Sequence, residues 1–335
     1  MRLLELSYSI KVRLPLRLGS GVQVGNVLTF NRALIDEGGR LLLVPGNTLR
    51  GLILSSAMKL SCARLLAGEE PSKLCTVTGK CDEACPIKRV LSNSATEGAV
   101  FHFGVAELRG HHVLRRVHAA LARGSRTSVV GVSPYVIEVL DSELSEDRRV
   151  EVLSRITVLG EDRELASVLK RGIVSTVGSC LGGKRTWGYG LVERAAITSE
   201  RVLSLEEEAS RISVEGPEAV VVLETPMPLD PTLGRDPCEV VRRVCEGLLS
   251  EYFASKCSVR AALSGAYRLV PIFWWDEALN RPHRGLALSR GTKVSLVSDE
   301  DALRRICALA EHVGLAPAGR WYSKCGYGVG VVERG

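Results

Sequence analysis

Three groups of residues in this 335-residue chain have types and spacings that could do chemistry. The first is Gly182-Gly183-Lys184-Arg185-Thr186-Trp187-Gly188-Tyr189-Gly190. Glycines let a backbone approach a ligand with no Cβ in the way. Lys184 and Arg185 place positive charge directly ahead of amides that could face an anion. A dinucleotide fingerprint needs the order strand, glycines, helix; the order here is helix, glycines, strand, which disfavours that fold. The second group is Pro45-Gly46-Asn47-Thr48-Leu49-Arg50-Gly51. A helix capped by Asn47 or Thr48, with an arginine in its first turns, suits a phosphate. The third is Cys75, Cys81 and Cys85, an irregular spacing compared with paired C-x-x-C motifs. Three thiolates need a fourth ligand to close a tetrahedral zinc site, and Cys62, His102 or His111 could supply it. A structural zinc, a disulfide such as Cys75 with Cys85 or Cys81, and free thiols all fit this spacing. The remaining cysteines are scattered, and Cys238 and Cys245 share a helical face as core residues do.

The charge distribution favours a polyanionic partner. Residues 1–200 carry 27 Lys+Arg against 20 Asp+Glu, whereas 201–335 carry 17 against 18, so the whole net charge of +6 arises in the first part. Scarce Gln and Asn, with many charged residues, hint at a heat-adapted source, in which intracellular disulfides also occur. The chain has no run of 18 apolar residues, and its N-terminal segment carries charges where a signal peptide needs an unbroken apolar core. A cytoplasmic protein without a membrane span is expected.

The elements that must position these groups form a pattern that occurs twice. A strand from Leu3 to Leu18 and a short apolar stretch at Arg40–Val44 lead into a helix from Asn47 that closes at Gly68. Residues 69–98 read as an irregular insertion. Strand character resumes at Ala99, a helix fills Asp162 to Ser175, and the glycine run leads into a last strand. In the second half, a strand at Ala219–Glu224 precedes helices near Cys238–Ala254 and Asp299–Val313. That half ends on Cys325-Gly326-Tyr327-Gly328, an echo of Trp187-Gly188-Tyr189-Gly190. Two β-α-β-β-α-β units explain this layout. The expected fold is α+β: tandem ferredoxin-like (RRM-like) modules with antiparallel sheets, a cysteine-containing insertion and a protruding hairpin. The modules are placed at 1–200 and 216–335, with a linker at 201–215. Phe273-Trp274-Trp275 reads as a packed strand end, and Glu206-Glu207-Glu208 as the first turn of a helix or a solvated linker. For the second glycine run, a tight turn feeding the last strand competes with an anion site.

With these residues in view, the chain resembles the RAMP superfamily of CRISPR-associated proteins. The likeness rests on Gly19-Ser20-Gly21 after the first strand, on Val44-Pro45-Gly46-Asn47-Thr48-Leu49-Arg50-Gly51, on the cysteine-containing insertion, on the basic middle segment and on the glycine run at 182–190. It is good over residues 1–195 and looser beyond. The resemblance implies a subunit that holds single-stranded guide RNA (crRNA) beside other subunits of an antiviral CRISPR effector complex of type III or, less in keeping, type I. Asn47, Arg50, Lys184, Arg185, Trp187 and Tyr189 would then meet RNA. A thumb-like hairpin at about 109–132 would add Arg115, Arg116, His118, Arg123 and Arg126 for backbone contact or stacking on splayed bases. Relatives with similar insertions bind zinc, which favours Cys62, Cys75, Cys81 and Cys85 as a structural zinc set. The guide-processing nucleases of the superfamily rely on an N-terminal histidine, and this chain has none before His102. Type III subunits that cut target RNA use an aspartate ahead of the Pro-Gly motif, for which Asp36 is the candidate. A non-cleaving subunit is favoured, with metal-dependent cleavage through Asp36 as the alternative. A capping or assembly subunit with no grip on RNA is the second.

Overall fold

Alternate residues of the first strand decide how the N-terminal half folds. In a computed structural model of the chain, β1 runs Arg2–Arg13, and Leu4, Leu6, Tyr8, Ile10 and Val12 are each 2% exposed or less. That period of two turns one face of the strand toward a core, and each such side chain contributes about 1.5–3 kcal/mol by leaving water. The structure describes all residues except 25–26, 37, 67–89, 91–93, 95, 119–134, 143–147, 184, 215, 265–266, 277–280, 318–320 and 334–335, with the backbone alone for 20–24, 60–66, 273–276, 281–284 and 321.

After β1 the chain forms β2 (Gly19–Val24), β3 (Val27–Phe30), a 3₁₀ turn at Arg32–Leu34, β4 (Leu41–Val44) and helix α1 (Gly46–Leu66). Strands β5 (Ala99–Phe101), β6 (Gly104–Glu107), β7 (His112–His118), β8 (Tyr135–Asp141) and β9 (Arg149–Leu159) follow. Helix α2 (Arg163–Val174) and β10 (Val192–Ser204) complete the half. The main sheet has the order β10-β1-β9-β6-β4, with β5 also paired to β9. Taking β1, α1, β5/β6, β9, α2 and β10 in turn gives the 4-1-3-2 arrangement of a ferredoxin-like unit, with α1 and α2 packed together. Asp162 caps α2 by accepting from the Leu165 amide at 3.0 Å. A second sheet, β2-β3-β8-β7, carries the antiparallel β7–β8 hairpin, His118 standing opposite Tyr135.

A short helix α3 (Leu205–Arg211) connects to the second half, with Glu206, Glu207 and Glu208 in its first turn. There the chain forms β11 (Glu218–Leu223), β12 (Met227–Leu229), α4 (Pro237–Phe253), β13 (Arg260–Ser264), β14 (Leu269–Asp276) and β15 (Arg281–Leu288). It ends with β16 (Lys293–Val297), α5 (Glu300–His312) and β17 (Gly330–Val332). Strand order β13-β16-β11-β17 repeats the ferredoxin-like arrangement. The expected α+β architecture of tandem units is what the chain adopts. Phe273, Trp274 and Trp275 lie in β14 of an inserted sheet, β12-β15-β14. Among the described residues, no helix is long and apolar enough to cross a membrane.

The glycine repeat is a repeat of conformation. Gly188 and Gly190 hold φ near +75° and +70°, and Gly326 and Gly328 hold +67° and +72°, a region that L side chains rarely enter. The Gly190 amide donates to the Pro15 carbonyl at 2.8 Å, and the Gly328 amide to that of Pro226 at 2.9 Å. The carbonyls of Gly190 and Gly328 accept from Leu181 and Leu315, both at 2.8 Å. Each loop thus ties the chain after its module's first strand to the strand that closes the sheet.

Candidate nucleic-acid interface

The two glycine loops do different work. The second packs onto the first module: a Cβ on Gly46 would come within 2.3 Å of the Cys325 carbonyl oxygen, and one on Gly326 within 2.5 Å of the His102 Cα. Lys324 is turned inward. It is 5% exposed and donates to the Glu97 carbonyl at 2.6 Å, and burial lowers its pKa to about 8. A tight structural turn therefore describes this loop.

The first loop borders a groove of about 570 Å³. Gly183 donates to the Arg17 carbonyl at 2.8 Å, which folds the loop over the segment after β1. One wall of the groove is formed by Arg17, Gly182, Gly183 and Arg185. The floor is the start of α1, where Asn47, Thr48, Gly51 and Ser55 face the space. The opposite wall comes from the second module through Pro226, Tyr327 and the β14 residues Val270, Pro271 and Ile272. This wall is held firmly, because Ile272 and Ala287 of the inserted sheet belong to the core of the first module.

The sequence places the helix cap at Asn47 or Thr48, but α1 begins at Gly46 and the Pro45 carbonyl accepts from the amides of Thr48 and Leu49 at 2.9 and 3.2 Å. The helix starts two residues earlier than a cap at Asn47 would give, so the Asn47 side chain is released from capping. Its buried Oδ1 has no hydrogen-bond partner among the described residues. Arg17 was not singled out in the sequence. Burial lowers its pKa, and its buried Nε has no partner among the described residues. The Arg17 guanidinium and a helix N-terminus thus meet in one depression, an arrangement suited to an anion, whereas the Asn47 oxygen beside them can only accept a hydrogen bond.

Of the predicted RNA-contacting residues, Asn47 and Arg185 line the groove. Arg50 does not: it sits near Cys325, where it counteracts part of the effect of burial that raises that thiol to about 11. Trp187 and Tyr189 continue from Arg185 toward the β7–β8 hairpin and meet His118 and Tyr135 there. The His118 ring lies 4.5 Å from that of Trp187 and 5.8 Å from that of Tyr135, and His118 Nε2 is 3.2 Å from the Tyr189 hydroxyl. Trp187 remains 41% exposed. Arg115 and Arg32 share the buried Glu138 carboxylate at 3.4 and 3.2 Å, and Arg116 pairs with buried Asp141. The base of the hairpin is therefore less cationic than its sequence suggests, with Arg115 and Arg32 together retaining one excess positive charge.

Lys184, Arg123, Arg126, Cys75, Cys81 and Cys85 lie outside the described residues, as does the side chain of Cys62 on α1. His102 is turned into the core: it is 3% exposed, its Nε2 is 2.9 Å from the Thr157 hydroxyl, its Nδ1 has no hydrogen-bond partner among the described residues, and burial holds its pKa well below the usual value. Asp36 serves its own turn. Its Oδ1 accepts from the Arg40 and Leu41 amides at 2.7 and 2.6 Å, and it is not among the residues that line the groove.

No protein-family model and no curated protein matches the chain. Among solved structures, a Cas6 product complex is similar over 98% of this chain and 100% of that one, with a TM-score of 0.40 and 14% identity. A likeness that distant carries no functional statement.

Proposed function

We propose that this protein binds single-stranded RNA across the groove and the adjoining aromatic cluster, as a guide-RNA-holding subunit of a CRISPR ribonucleoprotein. One observation carries the reading. Asn47 and Arg185, two residues singled out from separate motifs 138 positions apart, border a single groove whose first wall also includes the cationic side chain of Arg17. Basic residues and helix amides hold phosphates there, and exposed Trp187 offers a face on which a base can stack. The resemblance of the Pro-Gly and glycine-loop motifs to the RAMP superfamily supports RNA as the polyanion and a multisubunit complex as the setting. The engagement of Asp36 in its own turn supports a non-cleaving role.

Binding of a fluorescent single-stranded RNA, titrated at several salt concentrations, tests the reading. The affinity is expected to fall steeply with salt, with a log–log slope of about 0.7 per phosphate contact. Arg185→Glu should weaken binding of all sequences alike. An affinity insensitive to salt, or unchanged by Arg185→Glu, would remove the proposal.

A further inference from the structure

Gly51 has no packing reason to be glycine. It lies in the interior of α1, is exposed and borders the groove. An added Cβ would meet nothing within 4 Å. Only proline is a poorer helix former than glycine, so the choice at this position weakens the helix without relieving any contact within the chain. Gly46, Gly104 and Gly172 behave differently, since a Cβ at each would collide with or crowd neighbouring atoms; Gly247 in α4 is as unhindered as Gly51 but does not line the groove. The space over Gly51 is open groove, and it lies between two chemically unlike walls. On one side are Arg17 and Arg185; on the other are Val270, Pro271 and Ile272 from the second module. A volume of about 570 Å³ falls within the range of small-ligand pockets. Asn47, whose Oδ1 has no hydrogen-bond partner among the described residues, is one of the residues that line this floor.

We propose that the groove is a pocket for a single nucleotide. The base of one nucleotide turns against the Val270–Ile272 wall, within reach of the Asn47 amide, while its phosphate stays with Arg17 and Arg185. This rests on the RNA-binding reading and adds to it a base-enclosing wall supplied by the second module. The shared chemistry is a nucleoside phosphate, carried either by an RNA strand or by a free nucleotide.

The test compares the wild-type full chain with Gly51→Leu against two length-matched ligands, a single-stranded RNA and an abasic ribose-phosphate oligomer. The Cβ of Gly51→Leu has open space around it among the described residues, its longer side chain enters the groove, and a thermal melt of both proteins confirms that the variant folds. The variant is expected to lose about tenfold in affinity for RNA, the scale of one lost base contact, and to bind the abasic oligomer as the wild type does. A third arm titrates AMP, CMP, GMP and UMP. Binding of a mononucleotide that Gly51→Leu abolishes, without any RNA affinity, would keep the pocket and replace its occupant with a free nucleotide. RNA binding that Gly51→Leu leaves intact would overturn the pocket while the RNA reading stands. Loss of affinity for both oligomers alike would also overturn it, since the space would then serve the backbone. If neither RNA nor mononucleotides bind, both proposals fail together.

Discussion

Gly46 and Cys325 touch through their backbones across the two modules: a Cβ on Gly46 would stand 2.3 Å from the Cys325 carbonyl oxygen and 2.0 Å from that of Phe101. Neither oxygen can swing away as a side chain would. Gly46→Ala should therefore cost about 1–3 kcal/mol, the range for overpacking a rigid site. Gly51→Ala, five residues along the same helix and free of contacts, should gain about 0.4–1 kcal/mol. Urea denaturation of the two variants beside the wild type checks the pair. Equal effects would mean that the second glycine loop does not press on the start of α1.

Arg185 and Arg116 are both cationic, but they have different neighbours. Arg185 is exposed on the groove, whereas Arg116 pairs with Asp141, whose side chain is 1% exposed. Arg185→Ala should reduce the salt slope of RNA binding by about 0.7 and leave stability almost unchanged. Arg116→Ala should do the reverse, because it strands a buried carboxylate. Denaturation and salt titrations on the same two proteins separate these outcomes.

Much of the scaffold was legible in the sequence, and the reasons are local. Asp162 and Asp299 cap their helices, as an aspartate ahead of an amphipathic run predicts, and the paired glycine runs foretold two equivalent modules. The groove was only half legible. Val270, Pro271 and Ile272 look like any apolar strand, and their role arises because an inserted sheet of the second module reaches into the first module's core. Arg17 carries no motif at all. It becomes significant only when Gly183 folds onto its carbonyl. The ion pairs of Arg115 and Arg116 were hidden for the same reason, since Glu138 and Asp141 lie about two dozen residues away on the facing strand.

Glu5 of β1 sets an acid limit on stability. Its side chain is 2% exposed. Burial would raise its pKa, but contact with His312 and the guanidiniums of Arg155 and Arg201 outweigh this and lower it from 4.5 to about 2. Arg201 donates to Oε1 at 2.9 Å, Arg155 lies 3.4 Å from Oε2 and His312 3.8 Å from it, while Glu208 stands 3.7 Å from the other His312 nitrogen. A folded pKa below the unfolded one stabilises the protein above pH 4.5, and that contribution drains away as pH falls toward 2. The shift corresponds to roughly 3 kcal/mol. Glu5→Gln should be less stable at pH 7 and show a shallower loss through this window. Parallel pH profiles of the two proteins would refute the assignment.

The described cysteines should divide by accessibility. Burial pushes the Cys245 and Cys307 thiols up to about 12, so both should resist a thiol reagent at pH 8 until the protein unfolds. Cys180 is half-buried and borders the groove. It should label in the folded protein and become protected when RNA is bound. Labelling mapped by mass spectrometry, with and without RNA, checks both statements, and modification of Cys180 at an unchanged rate in saturating RNA would place the strand elsewhere.

Asp36 separates a structural carboxylate from a catalytic one. Its Oδ1 holds the Arg40 and Leu41 amides, and the Leu41 amide contributes most to keeping its pKa below the usual value, against the opposing effect of burial. An amide oxygen can accept the same two hydrogen bonds. Asp36→Asn should therefore keep most of the wild-type stability, while Asp36→Ala should lose about 0.5–2 kcal/mol, as other carboxylate caps do. A carboxylate that bound a catalytic metal would respond differently, because Asn is a weaker ligand than Asp and removes the negative charge. Incubating the protein with guide RNA, complementary RNA and a divalent cation supplies the second readout. No regular cleavage is expected from the wild type, and cuts that vanish in Asp36→Asn as fully as in Asp36→Ala would show that this side chain does chemistry as well as shape its turn.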